Sequence, residues 1–186
     1  MNGDSITEGA NFFHWQWGRR VADVVTPRPR VYNYGFGGST FASQIGNTNT
    51  WQAFYDATAP YNLATVAWGT NDILGGVSLA ALQANCTAMM NEIIAANPWT
   101  IALCTILPRQ AFSAGQETIR QDYNTWLRAN FASLGATFLI DHAANPDLQN
   151  PADPIWYADG THPTAAGQTS MGNWAGVAVQ AWLDTL

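Results

Sequence analysis

Residues 63–68 and 100–107 are apolar apart from Thr65, Thr100 and Thr105, and residues 137–140 form a shorter run of the same kind. Apolar runs without polar alternation mark strands buried on both faces, as in a parallel sheet. They end at Gly69, Pro108 and Asp141. Residues 30–34 read as a further strand, closed by Gly35. Between the runs the period changes from continuous to three-and-four. Over residues 78–97 the apolar positions Leu79, Leu82, Cys86, Met89, Met90, Ile93 and Ile94 share a helix face, stopped by Asn97-Pro98. Residues 117–134 carry a stripe of Ile119, Tyr123, Trp126, Leu127, Phe131 and Leu134, stopped by Gly135. A last helix is predicted over residues 164–183, with Met171, Trp174, Ala178 and Ala181 on one side. Another is predicted over residues 11–25, stopped by Pro27.

Strands that alternate with helices imply right-handed βαβ crossovers and a three-layer α/β/α sandwich. Ligands in such sheets bind beyond the carboxyl ends of the strands. The residues that follow each strand are therefore where chemistry is sought.

Composition narrows the partners. The 186 residues are 47% hydrophobic and 11% charged, with a net charge of −6, and all seven basic residues are Arg. A globular core is expected, and no basic cluster exists that could neutralise a run of phosphates, which argues against nucleic acid. No apolar run reaches the ~20 residues needed to span a bilayer. No leader is visible at the start, and secreted and cytoplasmic locations both stay open. Cys86 and Cys104 are too few for a disulfide scaffold and are read as buried thiols. The nine tryptophans are assigned mostly to the core, while Trp15, Trp17, Phe36, Trp156 and Tyr157 are placed near the cleft, where they could face a sugar. Asn85-Cys86-Thr87 fits a glycosylation pattern by chance, inside a predicted helix.

Four polar clusters carry the candidate chemistry. They are Gly3-Asp4-Ser5 near the start, Gly35-Phe36-Gly37-Gly38-Ser39 after the residue 30–34 strand, Gly69-Thr70-Asn71-Asp72 after the residue 63–68 strand, and Asp159-Gly160-Thr161-His162 in a late loop. A serine becomes a nucleophile only when a base takes its proton and donors stabilise the oxyanion. Asp159, three residues before His162, can hold the imidazole Nδ1–H and leave Nε2 facing Ser5. The Ser5 N–H, the Gly38 N–H and the Asn71 amide are the oxyanion candidates. Alone, Ser5 would read as a helix N-cap. Asp4 is expected to brace its turn, Asp72 to hold the loop after its strand, and Gly35 and Gly37 to be turn glycines. His14 and His142 are taken as surface or structural, with His142 the one other histidine after a strand end. No metal-ligand spacing, Gly-x-Ser-x-Gly elbow or nucleotide loop occurs.

In order and spacing, the four clusters resemble the four sequence blocks of the SGNH, or GDSL-type, hydrolase and esterase family. The resemblance covers nearly the whole chain, and it implies a single hydrolase domain over residues 1–186 with a flavodoxin-like parallel sheet. It also implies Ser5, His162 and Asp159 as the catalytic triad, Ser5, Gly38 and Asn71 as the oxyanion hole, and no metal or organic cofactor. The expected substrates are short-chain acyl or carbohydrate acetyl esters. Thioesters, lysophospholipids, or a silent carbohydrate-binding or structural module of the same fold are the alternatives. One departure stands out. In the family the Gly-Asp-Ser turn follows a central strand, but here only Met1 and Asn2 precede it, so the first central strand is expected to be missing. Residues before Met1, another segment or subunit, or a rearranged sheet would then fill its place. Oligomeric state is not readable from the chain.

Overall fold

The computed structural model describes residues 1–10, 14 and 16–186; of Thr50 and Trp51 it describes the backbone. Five parallel strands form one sheet: β1 (Asn2–Gly3), β2 (Tyr34–Gly35), β3 (Leu63–Ala67), β4 (Thr100–Cys104) and β5 (Phe138–Ile140). Their spatial order is β2-β1-β3-β4-β5, and every pairing is parallel. This is the flavodoxin-like order, whose switch point lies between the first and third strands.

The two faces of the sheet follow from side-chain alternation along each strand. On β4, Ile101 and Leu103 point into one core with Leu82, Met89, Met90, Ile93, Tyr123 and Leu127. These come from α6 (Leu79–Ala96) and α7 (Ala114–Asn130), as the periodicity predicts. Ala102 and Cys104 point the other way, into a core with Trp17, Val21, Met171, Ala175 and Val179. Those belong to α2 (Trp17–Val24) and α8 (Ala165–Leu183). A Cβ at Gly172 would collide with Arg20 and the Trp17 carbonyl, and one at Gly176 with Val24. Glycine at these two sites therefore sets the close approach of α8 to α2. Cys86 and Cys104 are unbonded and buried, as expected. Among the described residues, no helix is long and apolar enough to cross a membrane.

Four expectations need correction. The central strand is not missing: Asn2 and Gly3 occupy it and pair with Tyr34 and Gly35 on one side and Val66 and Ala67 on the other. It is two residues long, and the Asn2 side chain continues the ladder by donating from Nδ2 to the Thr65 carbonyl at 3.3 Å. Below it lies a slot of about 480 Å³ between Tyr32, Tyr34, Phe54, Leu63, Trp99 and Trp182. The strand expected over residues 30–34 shrinks to Tyr34–Gly35 for the same reason, because its neighbour offers only two residues to pair with. The helix expected over residues 11–25 begins at Trp17; residues 11–13 and 15 lie outside the described set. The helix expected over 117–134 starts earlier, at Ala114. There Ser113 caps the first turn, and Gln116 returns the bond to the Ser113 amide.

Candidate active site

Short connections after β1 and β3 bring two chemistry-bearing turns to the switch point. After β1, Asp4 caps the four-residue helix α1 (Ser5–Glu8), its Oδ1 accepting from the Ile6 amide at 2.9 Å. Asp4, not Ser5, is the N-cap. Ser5 is the first helical residue, so its N–H belongs to the turn that no helix carbonyl can reach. A Cβ on Gly3 would strike Thr7, and one on Gly35 would strike the Glu8 backbone, so both glycines let α1 lie against the sheet. Gly35 is thus a strand glycine, not a turn glycine. Gly37 does sit in a turn, the nearest atoms to an added Cβ being those of Glu8 and Ser5.

His162 arrives from the far end of the chain. Residues 157–163 form a tight loop closed by a bridge between Tyr157 and Pro163, with the Ala158 amide donating to the His162 carbonyl at 2.9 Å. Ser5 Oγ lies 2.8 Å from His162 Nε2, and His162 Nδ1 lies 2.7 Å from Asp159 Oδ2. An ionised carboxylate only accepts, so Nδ1 carries the proton, Nε2 is the free lone pair, and the serine hydroxyl donates to it. The other carboxylate oxygen, Oδ1, accepts from the amides of Thr161 at 3.0 Å and His162 at 2.8 Å. Burial alone would raise the Asp159 carboxyl, but the bonds from the His162 ring and those two amides hold it below the usual carboxylate value.

On the opposite side stand the remaining predicted donors. Gly38 has φ +75 with open space around an added Cβ, so the conformation, not crowding, calls for glycine. Among the described residues its N–H has no protein acceptor. Asn71, in the first turn of α5 (Thr70–Leu74), donates from Nδ2 to the Ser39 carbonyl at 3.0 Å, which leaves its second Nδ2 proton available. Ser39 itself is stitched in, donating from Oγ to the Gly3 carbonyl at 3.3 Å and accepting from Trp68 Nε1 at 2.9 Å. Asp72 is structural as expected: its Oδ2 accepts from the Phe41 amide at 3.2 Å, anchoring the start of α3 (Phe41–Gln44).

The sequence did not flag two contributors. Gln168 on α8 accepts from the Trp17 amide at 2.9 Å and donates to the Ile6 carbonyl at 3.0 Å, tying α2 and α1 to the helix that follows His162. Arg109, after β4, donates from Nη1 to Asn71 Oδ1 at 3.3 Å. The buried carboxyl of Asp4 is pushed up to about 7 by desolvation, against the Ile6 amide and the nearby Arg109 charge. Two aromatic assignments are overturned. Trp17 is fully buried and Tyr157 nearly so, donating from Oη to the Leu148 carbonyl at 2.8 Å. Both serve the core. Phe36 is exposed and Trp156 half-buried, and Trp15 lies outside the described residues.

His142 is no base for this site. It is 2% exposed, stands edge-on to Trp17 with centroids 5.1 Å apart, and neither ring nitrogen has a hydrogen-bond partner among the described residues. Burial lowers its pKa to about 4, only partly offset by the Asp141 charge. The folded state therefore stays neutral while an unfolded histidine protonates near 6.5, so stability is lost as pH falls from 6.5 towards 4 and is unaffected above. The loss at pH 5 is about 2 kcal/mol. His142→Phe should remove this part of the acid limb, and a small cavity beside the ring has room for the added atom. Urea midpoints at pH 7 and pH 5 check this; a variant that weakens between them as much as the native chain would refute it.

A family model described as the GDSL-like lipase/acylhydrolase family matches residues 2–169. Among solved structures, the fold is similar to that of a lipolytic G-D-S-L family member from Veillonella parvula DSM 2008. The two are 20% identical over 94% of this chain and 93% of that one, with a TM-score of 0.79. TesA is similar at 21% identity over 97% and 96%, with a TM-score of 0.75. A catalytic mutant of Axe2, an acetylxylan esterase from Geobacillus stearothermophilus, is similar at 18% identity over 96% and 91%, with a TM-score of 0.71. No curated protein sequence matches the chain.

Proposed function

Because the chain belongs to the GDSL-like lipase/acylhydrolase family, we propose that residues 1–186 act as one serine esterase domain that hydrolyses carboxylic esters. The observation that carries this is the unbroken series from Ser5 Oγ to His162 at 2.8 Å and from His162 to Asp159 at 2.7 Å. In this reading Ser5 attacks the acyl carbonyl while its proton passes to His162 Nε2, and Asp159 stabilises the imidazolium. The oxyanion takes hydrogen bonds from the Ser5 N–H, the Gly38 N–H and Asn71 Nδ2. Collapse breaks the ester C–O bond, and His162 returns the proton to the leaving alkoxide. Water, deprotonated by His162, then releases the acid and restores Ser5.

Short acyl groups and acetylated carbohydrates are the proposed substrates. The exposed ring of Phe36, beside Gly37 and Gly38, offers an aromatic face to a sugar or a small acyl chain. The similarity to an acetylxylan esterase points the same way.

A fluorophosphonate probe tests the nucleophile. Covalent attachment is expected on the peptide that contains Ser5, with loss of p-nitrophenyl acetate hydrolysis in proportion to labelling. A folded protein that stays unlabelled overturns the proposal. Faster cleavage of p-nitrophenyl palmitate than of the acetate would overturn the substrate class alone.

A further inference from the structure

We propose that Arg109 is a positioning residue that fixes which end of the Asn71 amide faces the oxyanion. The inference rests on the reading of Asn71 as an oxyanion donor. The two ends of an asparagine amide are nearly the same shape but opposite in hydrogen bonding, so Asn71 is useful only if Nδ2 is held towards the cleft. Two neighbours can hold it that way. The Ser39 carbonyl can only accept, and it takes one Nδ2 proton at 3.0 Å. The Arg109 guanidinium can only donate, and it meets Oδ1 at 3.3 Å. A flipped amide would set NH₂ against a permanent cation and a carbonyl oxygen against a carbonyl oxygen. Each contact is penalised by the flip, so the pair selects one orientation.

The guanidinium charge adds a second effect. Drawing electron density towards Oδ1 makes the remaining Nδ2 proton a stronger donor, at the place where negative charge appears during acyl transfer. Arg109 also lies within the field of the Asp4 and Asp159 carboxylates, although desolvation pulls its own pKa down. Its turn is fixed to the loop that carries the base. The Gln110 amide donates to the Gly160 carbonyl at 2.8 Å, and the Phe112 amide to the Arg109 carbonyl at 3.1 Å. Arg109 therefore joins the oxyanion side of the site to the Asp159–His162 side.

A double-mutant cycle between Arg109 and Asn71 tests this, with kcat and KM for p-nitrophenyl acetate as readouts. Asn71→Ala should lower kcat by about 10²–10³-fold, the usual cost of one oxyanion donor. Arg109→Met should lower kcat by about 30-fold with KM nearly unchanged, a fraction of that same interaction. In the Asn71→Ala background, Arg109→Met should then cost less than about threefold, because its effect runs through the missing amide. Arg109→Lys, which keeps the charge and a donor, should recover most of the loss and guards against a Met variant that fails to fold. Equal losses in both backgrounds, or a Lys variant as poor as Met, would overturn the role of Arg109 while leaving the oxyanion reading intact. An Asn71→Ala enzyme with native kcat would overturn both.

Discussion

Ser5→Ala is expected to lower kcat on p-nitrophenyl acetate by about 10⁶-fold, the usual cost of deleting the nucleophile of a triad. The expectation is unusually clean because Ser5 does so little else. Its hydroxyl contacts His162, whereas the cap of α1 is made by Asp4. Alanine is also a good helix residue at that first position. The variant should unfold within about 0.5 kcal/mol of the native chain, as surface-like substitutions usually do. Lost turnover with unchanged urea midpoint is the predicted pair of results. Turnover within about tenfold of native would sink Ser5 as nucleophile.

Asp159→Asn should produce the second-largest loss, about 10³-fold in kcat, less than the ~10⁴-fold that a wrong tautomer costs in a buried triad. Asparagine keeps an oxygen for the Thr161 and His162 amides, so the loop should hold its shape. At the other position an NH₂ replaces Oδ2 and donates to Nδ1, which moves the ring proton to Nε2. His162 then presents a donor to Ser5 and cannot take its proton. The loss is smaller because the Asp159 side chain is 48% exposed, and water can partly substitute for it. Steady-state kinetics decide the matter; a loss under about tenfold would mean that Asp159 does not set the tautomer.

The sequence exposed some parts of this molecule far better than others, for physical reasons. Long helices were legible because a dozen or more residues repeat one period, and because Ser78 and Thr164 cap α6 and α8 where the pattern starts. The five residues proposed for the site could be picked out because each stands in a short motif that follows a strand or closes a tight loop. The four- and five-residue helices α1, α3, α4 (Asn49–Gln52) and α5 were not, since one turn has no period to detect. Trp17 and Tyr157 are close in sequence to cleft segments, but closeness in sequence does not make them neighbours of the cleft in space. The direction of each side chain sends them into the core instead. Arg109 and Gln168 left no signal at all. Their value lies in partners far along the chain, Asn71 for one and Trp17 and Ile6 for the other.

Gln168 also bears on how activity is acquired as the chain folds. Its amide closes a loop of about 150 residues onto Trp17, and the contact of Ser5 with His162 closes a loop of similar length. Contacts of such separation form late, because loop-closure entropy must be met before they contribute anything. Helix α6, by contrast, needs only local bonds. In a refolding experiment the far-ultraviolet helical signal should recover first and esterase turnover last. Catalysis would then serve as a clock for the docking of α8 onto the start of the chain.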